Sequence, residues 1–369
     1  MPAMTRTLTR LGDLARASLV AADQLPVLER VAARYAVAIT AASAALIDPR
    51  DPADPIARQF LPDPAELVTT PEELVDPIGD AAHSPVAGIV HRYPDRVLLL
   101  PTHACASYCR FCFRRETVGP GGAGTLTNAE LDAAMAYIAG DPAIWEVILT
   151  GGDPLVLSPA RIGAIMDRLA RIDHVKIVRV HTRVPAVAPE RITDALVSAL
   201  TRSGKTTYLA LHANHPRELT GEARAACSRL IDAGVVMLSQ TVLLRGVNDD
   251  VAVLGALMRA FVETRIKPYY LHHADLAPGT SHLRLTLAEG QTLMRALRGT
   301  YSGLCQPAFV LDIPGGHGKA PVGPSYVEEG VGGVVVEDPW GVGHGYPQPG
   351  DGSGPEILVL RQAQHEDFY

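Results

Sequence analysis

The chain has 369 residues, 47% of them apolar and 20% charged, with a formal net charge of −7. That length supports a large core in one main catalytic domain with room for a small appendage, and the acidic balance excludes a basic face for nucleic acid. Five cysteines, an odd number with three of them clustered, exclude a secreted disulfide framework and point to a reducing cytosol. Arg6 and Arg10 are followed by no continuous apolar leader and no apolar window reaches the length of a membrane span, so a soluble, cytoplasmic chain with no membrane partner is expected.

Helical periodicity runs from about residue 8 to 47, through Leu11, Leu14, Ala15 and Leu19 and then Leu25, Leu28, Val31 and Ala32, and predicts an N-terminal helical cap. From Pro49 to Pro85 prolines and aspartates break regular structure, which reads as an ordered belt or a linker. A short apolar strand, Val97 to Pro101, then delivers a cysteine loop. Beyond it strands and helices alternate: helix Thr127–Ala139, strand Glu146–Thr150, helix Arg161–Ile172, strand Lys176–His181, helix Ile192–Thr201, strand Thr207–His212, helix Arg217–Ala233, strand Val235–Leu243, helix Val251–Phe261, strand Lys267–His272, helix Leu287–Tyr301 and strand Ala308–Ile313. Such alternation predicts an α/β fold with a parallel sheet and outer helices, doubly wound or curled toward a barrel. In either case the functional rim lies just after the strands. The tail carries possible short strands at Val334–Val336 and Ile357–Leu360. Three regions are expected: 1–85 as cap and belt, 86–305 as the (β/α) core, and 306–369 as a lysine-bearing loop with a C-terminal extension.

Cys105, Cys109 and Cys112 stand in a CxxxCxxC spacing. A [4Fe-4S] cluster normally takes four thiolates; three leave one iron open to a small molecule. The competing reading is a zinc site closed by His103. Gly151-Gly152-Asp153 follows a strand, where glycines let the backbone approach a ligand. Lys319 ends the glycine-rich PGGHGK loop and can form a Schiff base with pyridoxal phosphate (PLP); Ala320 behind it departs from the nucleotide P-loop. Arg92 and Arg96 suit a phosphate, or else pair with Asp95. Asp275 and Asp312 together can clamp an ammonium and Arg114 a carboxylate, which together describe a basic amino acid.

The motifs HRYPDRV, CxxxCxxC with Arg114-Arg115, LTGGDPL, HTRVP, NHPREL, QTVLLRGVND, KPYYLHHADL and PGGHGK occur in one order from about Asp48 to Tyr326. This set resembles the lysine 2,3-aminomutase family of radical S-adenosylmethionine (SAM) enzymes. The resemblance implies a partial (β/α)6-type radical SAM barrel with an N-terminal helical cap and a short C-terminal extension, one [4Fe-4S] cluster, SAM and PLP. It implies Cys105, Cys109 and Cys112 as cluster ligands, Gly151, Gly152, Asp153, His212 and Gln240 at SAM, Lys319 as the PLP lysine, and Arg92, Tyr93 and Arg96 at the PLP phosphate. Arg114 would bind the substrate carboxylate, and Asp275 and Asp312 its distal ammonium. Glutamate-specific relatives replace that acidic pair, so the resemblance implies conversion of L-lysine to β-lysine, with an electron donor such as flavodoxin or ferredoxin.

Two departures bear on the family's variety. His272 stands where the lysine enzymes carry tyrosine and where shorter relatives that make β-lysine for translation elongation factor P carry histidine. Asp250 replaces a zinc-binding cysteine and the tail has no cysteine, so an oligomer, if formed, would lack the inter-subunit zinc. The rival activities are the same rearrangement serving elongation factor P, an aminomutase of another amino acid, and, more remotely, a non-catalytic iron-sulfur protein.

Overall fold

The computed structural model describes residues 6–119, 122–330 and 333–347. Three short helices, α1 (Leu11–Arg16), α2 (Leu25–Arg34) and α3 (Ala41–Leu46), form the cap, tied by a bridge between Leu8 and Ile39. The following belt is ordered: its single turn α4 (Ala57–Phe60) buries Phe60, and Glu66 inside it is fully buried. Backbone bonds from Arg110 to Gln59, Leu74 to Leu276 and Gly315 to Pro77 lace the belt across three separate loops.

The body then runs β1 (Ile89–Tyr93), β2 (Arg96–Thr102), α5 (Asn128–Gly140), β3 (Glu146–Gly151), α6 (Pro159–Ala170), β4 (Ile177–Thr182), α7 (Val184–Val187), α8 (Asp194–Thr201), β5 (Thr206–His212), α9 (Gly221–Asp232), β6 (Val236–Leu243), α10 (Val251–Glu263), β7 (Lys267–His273), α11 (Leu287–Thr300), β8 (Ala308–Asp312) and β9 (Lys319–Pro321). These nine strands form one sheet in sequential order, with β2 to β8 parallel and β1 and β9 antiparallel at its two edges. The result is a half-barrel of six βα units and a closing strand. Each long crossover helix starts at a capping side chain, Thr127, Ser158, Thr193, Thr220, Asp250 or Thr286, that accepts a first-turn backbone N–H; each cap stabilises by about 1 kcal/mol. Asp250, at the position read as a lost zinc ligand, has this capping role.

Strand parity separates core from site. Val147, Leu149, Val178, Val180, Leu209 and Leu211 face the helices and join the main hydrophobic cluster. The alternate positions, including Arg179, His181, Tyr208, His212 and Gln240, face a cavity inside the half-barrel. Parallel strands buried on both faces read as continuous apolar runs; alternation here marks a polar lumen.

Most expected elements stand within a few residues of their predicted bounds. The helix expected from Arg217 starts at Gly221, because Pro216–Glu218 forms a separate 3-10 turn and Thr220 caps the helix. Strands β1 and β9 were not expected; both are short edges that the antiparallel pairing, rather than any apolar run, holds in place. The partition expected at 305/306 cuts through the sheet, since β8 and β9 complete it. Beyond it a three-stranded antiparallel sheet forms from β10 (Val327–Gly330), β11 (Gly333–Glu337), which contains the expected Val334–Val336 strand, and β12 (Gly343–Tyr346). The expected strand Ile357–Leu360 lies outside the described residues. Among the described residues no helix is long and apolar enough to cross a membrane.

Candidate active site

All the residues singled out by sequence for cofactors or substrate line one cavity of about 960 Å³ inside the half-barrel. Its upper end is the cysteine loop after β2. Two parallel-strand ends brace that loop: the Gly152 N–H donates to Thr102 O at 2.7 Å and the Asp153 N–H to Ala104 O at 2.8 Å. A Cβ on Gly152 would lie 2.2 Å from Ala104 O, and Gly151 has φ +107. The two glycines are therefore required by the approach of the cysteine-loop backbone, whatever they offer a ligand. Asp153, read as a SAM contact, lines the cavity, but its carboxylate already accepts from Leu155 N (3.0 Å), Thr182 Oγ1 (2.7 Å) and Arg183 N (2.8 Å). It joins the ends of β3 and β4. Burial pushes its acid upward, opposed by those hydrogen bonds.

Cys105, Cys109 and Cys112 lie partly buried on the cavity wall. Burial pushes the Cys105 thiol far up, assisted by the Asp153 charge, and the Cys112 thiol up to about 11. Loading a metal centre must then release protons. Among the described residues no three His, Cys, Asp or Glu side chains meet closely enough to hold a single ion. Three thiols on one wall with an arginine N–H aimed at one of them, Arg183 Nη1 to Cys109 Sγ at 2.9 Å, suit a thiolate-ligated cluster. His212, beside them, is held well below the ordinary histidine range by burial and by Arg183, and its Nε2 meets Asn214 Oδ1 at 3.1 Å. Gln240 faces the same space from β6.

The lower end is built around an antiparallel register. Asp312 on β8 and Lys319 on β9 are direct partners, so their side chains share a face and the Lys319 ammonium bonds Asp312 Oδ2. Lys319 Nζ also lies 3.3 Å from His272 Nδ1, and its backbone N–H donates to the Tyr93 hydroxyl at 2.7 Å. The sequence reading placed this lysine on a flexible glycine loop; it stands instead in a short strand, because the left-handed glycines before it form a tight turn. A Cβ on Gly316, φ +85, would meet the belt's His83 at 2.8 Å.

Burial disfavours the Asp312 charge, but His272 and Lys319 outweigh it and hold the carboxyl far below its usual range. Asp275 is pushed up to about 7 by burial and by Asp312, against Lys319 and Arg114. His272 is lowered by burial and then by the Lys319 charge.

Arg114 and Arg92 converge on a residue the sequence reading passed over. Arg114 Nε donates to Asp80 Oδ2 at 2.9 Å and Arg92 Nη2 to Asp80 Oδ1 at 3.2 Å and Ile78 O at 2.5 Å, while the buried Arg92 Nε has no partner among the described residues. Arg96 pairs with Asp95 at 2.6 Å and stacks 3.8 Å over the Tyr93 ring. His181 and Arg179, also unassigned from sequence, complete the inner wall; their only signal was their parity on β4.

The fold and the thiol loop together define a radical SAM protein: the Radical SAM superfamily model matches residues 99–254, and a lysine-2,3-aminomutase model matches residues 294–365. An L-lysine 2,3-aminomutase of Clostridium subterminale is 44% identical over 79% of this chain and 70% of its own length. That of Bacillus subtilis is 37% identical over 94% and 73%, and a glutamate 2,3-aminomutase of Clostridioides difficile 34% over 88% and 76%. The chain belongs to the lysine 2,3-aminomutase family of radical SAM enzymes. Membership makes it an isomerase and brings with it a [4Fe-4S] cluster and SAM.

Proposed function

We propose that this enzyme is a PLP-dependent aminomutase that moves the α-amino group of L-lysine to C3, giving β-lysine. The observation that carries this reading is the charge layout of the lower cavity. Arg114, the carboxylate pair Asp275 and Asp312, and Lys319 line the same cavity, and the Arg114 and Lys319 charges both act on Asp275. A side chain ending in an ammonium is stabilised between the two aspartates; one ending in a carboxylate, as in glutamate, would meet two like charges.

In this reading Cys105, Cys109 and Cys112 would hold the cluster. Gly151, Gly152, Asp153, His212 and Gln240 would surround SAM, the two glycines and Asp153 chiefly through backbone. Arg92, Tyr93 and Arg96 would receive the phosphate of PLP, whose carbonyl Lys319 would engage. When bound, the cluster and SAM supply a 5′-deoxyadenosyl radical and PLP a conjugated system across which nitrogen can migrate.

The chain's own groups prepare that chemistry. Lys319 must shed a proton to act as a nucleophile, and His272 Nδ1, 3.3 Å from its Nζ, is within reach of that proton. Once Lys319 is engaged elsewhere, Asp312 loses its internal cation and is free for the substrate's ammonium. Arg114, held now by Asp80, has the geometry to exchange one carboxylate for another.

The test is anaerobic reconstitution with iron, sulfide, PLP, SAM and a one-electron donor such as flavodoxin or ferredoxin, followed by chromatography of products from L-lysine and L-glutamate. β-Lysine from lysine and no β-glutamate is expected. Turnover of glutamate alone would overturn the substrate assignment.

A further inference from the structure

Arg183 follows β4 directly and is only 6% exposed. Its Nη2 donates to Glu218 Oε2 and to Gln59 Oε1, each at 2.5 Å. Glu218 is itself fixed, since its Oε1 accepts the backbone N–H groups of Asn214 at 2.9 Å and His215 at 3.0 Å. The guanidinium carbon lies 4.5 Å from the Phe60 ring centre and 5.5 Å from that of Phe111. Belt, β4, the loop after β5 and the cysteine loop thus converge on one guanidinium, leaving Nη1 directed at Cys109 Sγ at 2.9 Å. Among the described residues no other side chain hydrogen-bonds one of the three thiols; Cys112 feels the charges of Arg114 and Arg115 without such a bond.

An ion pair between Arg183 and Glu218 would satisfy both charges without the sulfur. The guanidinium instead bridges carboxylate, amide and thiol, an arrangement that orients a donor at a ligand atom. Reduction of a [4Fe-4S] cluster from its 2+ to its 1+ state adds one negative charge that is shared with the ligand sulfurs. A charge-assisted N–H···S bond in a buried site stabilises that added charge more than the charge already present.

We propose that Arg183 is a positioning residue of the cluster, donating from Nη1 to the Cys109 sulfur so that the cluster accepts its electron more readily. The proposal rests on the cluster reading of the three thiols. It assigns to the Cys109 sulfur a cationic hydrogen-bond donor, which neither Cys105 nor Cys112 has among the described residues.

The experiment is redox-poised electron paramagnetic resonance of the reconstituted protein, comparing the native chain with Arg183→Lys and Arg183→Met at equal iron content. Arg183→Met is expected to disfavour reduction at least tenfold, about 59 mV to more negative potential for one electron. Arg183→Lys is expected to fall between, since an ammonium keeps the charge but lacks the fork that reaches three partners. An unchanged midpoint in Arg183→Met with full iron content would overturn the assignment. Should that variant fail to fold around its unpaired Glu218, the native chain labelled with 15N-arginine decides: the reduced cluster must show a coupled arginine 15N nucleus that Arg183→Lys abolishes. Absence of that coupling overturns the assignment, whereas a native chain that builds no cluster at all overturns the cluster reading with it.

Discussion

At the cysteine end of the cavity Arg183, Asp153 and Glu218 are bound by backbone and side chains from several segments of the fold. At the lysine end Lys319 pairs with Asp312, and Arg114 and Arg92 with Asp80, and in the proposed function these are the groups that would bind an ammonium, a carboxylate and a phosphate. Under that proposal the first set of contacts can persist when ligands bind, whereas the second would be exchanged. A radical generator needs a fixed frame, because small displacements cost rate. A substrate site needs charges whose internal partners can leave.

Substitutions can sharpen this contrast. The largest effect is expected from Lys319→Ala, which should lower mutase turnover by on the order of 10⁴-fold or more and remove the visible absorbance of lysine-bound pyridoxal, with the cluster spectrum intact. A persisting pyridoxal band would show that the lysine end is not organised by this residue. Next comes Glu66→Gln at the opposite end. Glu66 is fully buried and is the counterion of both Arg110 and Arg115, whose side chains are 2% and 4% exposed. Removing its charge should destabilise by about 3–5 kcal/mol, measured as a lower urea midpoint; an unchanged midpoint would refute the rigid frame.

Asp312→Asn should behave the other way. Little stability is lost, because its main partner Lys319 can turn to Asp275. The KM for lysine should rise roughly 10- to 100-fold, as for loss of a charge-assisted hydrogen bond of about 1.5–3 kcal/mol, with uncoupled SAM cleavage unaltered. Equal losses in both readouts would place Asp312 in the frame instead.

The smallest effect concerns pH. The folded pKa of Asp275 is raised to about 7 from 3.8, so the stability this group contributes to the ligand-free protein is fully present below about pH 4 and is lost as pH rises through 7. Binding of a cation runs in the opposite sense. Lysine affinity should improve severalfold as pH rises through 7, and Asp275→Asn should flatten both profiles. A profile unchanged by that substitution would assign the titration to another group.

The belt shows most clearly what could be read beforehand and what could not. Its prolines and aspartates announced irregular structure, yet nothing in their order disclosed that Glu66 would neutralise two arginines more than 40 positions away, or that Asp80 would hold Arg114 from 34 positions upstream. Asp153 lines the cavity as expected, but its role as a joint between two strands was not legible, since Thr182 and Arg183 reach it from the end of β4.

The sequence by itself determined the βα alternation, the approximate bounds of most strands and helices and the thiol spacing. These depend on periods of two to four residues and on capping within one turn, so neighbouring residues suffice to specify them. Only the tertiary structure decided that Lys319 stands in a strand opposite Asp312, that Asp80 occupies both arginines, and that Arg183 points at Cys109 from 74 positions away. Those pairings exist because the half-barrel brings its strand ends and the belt to a single cavity.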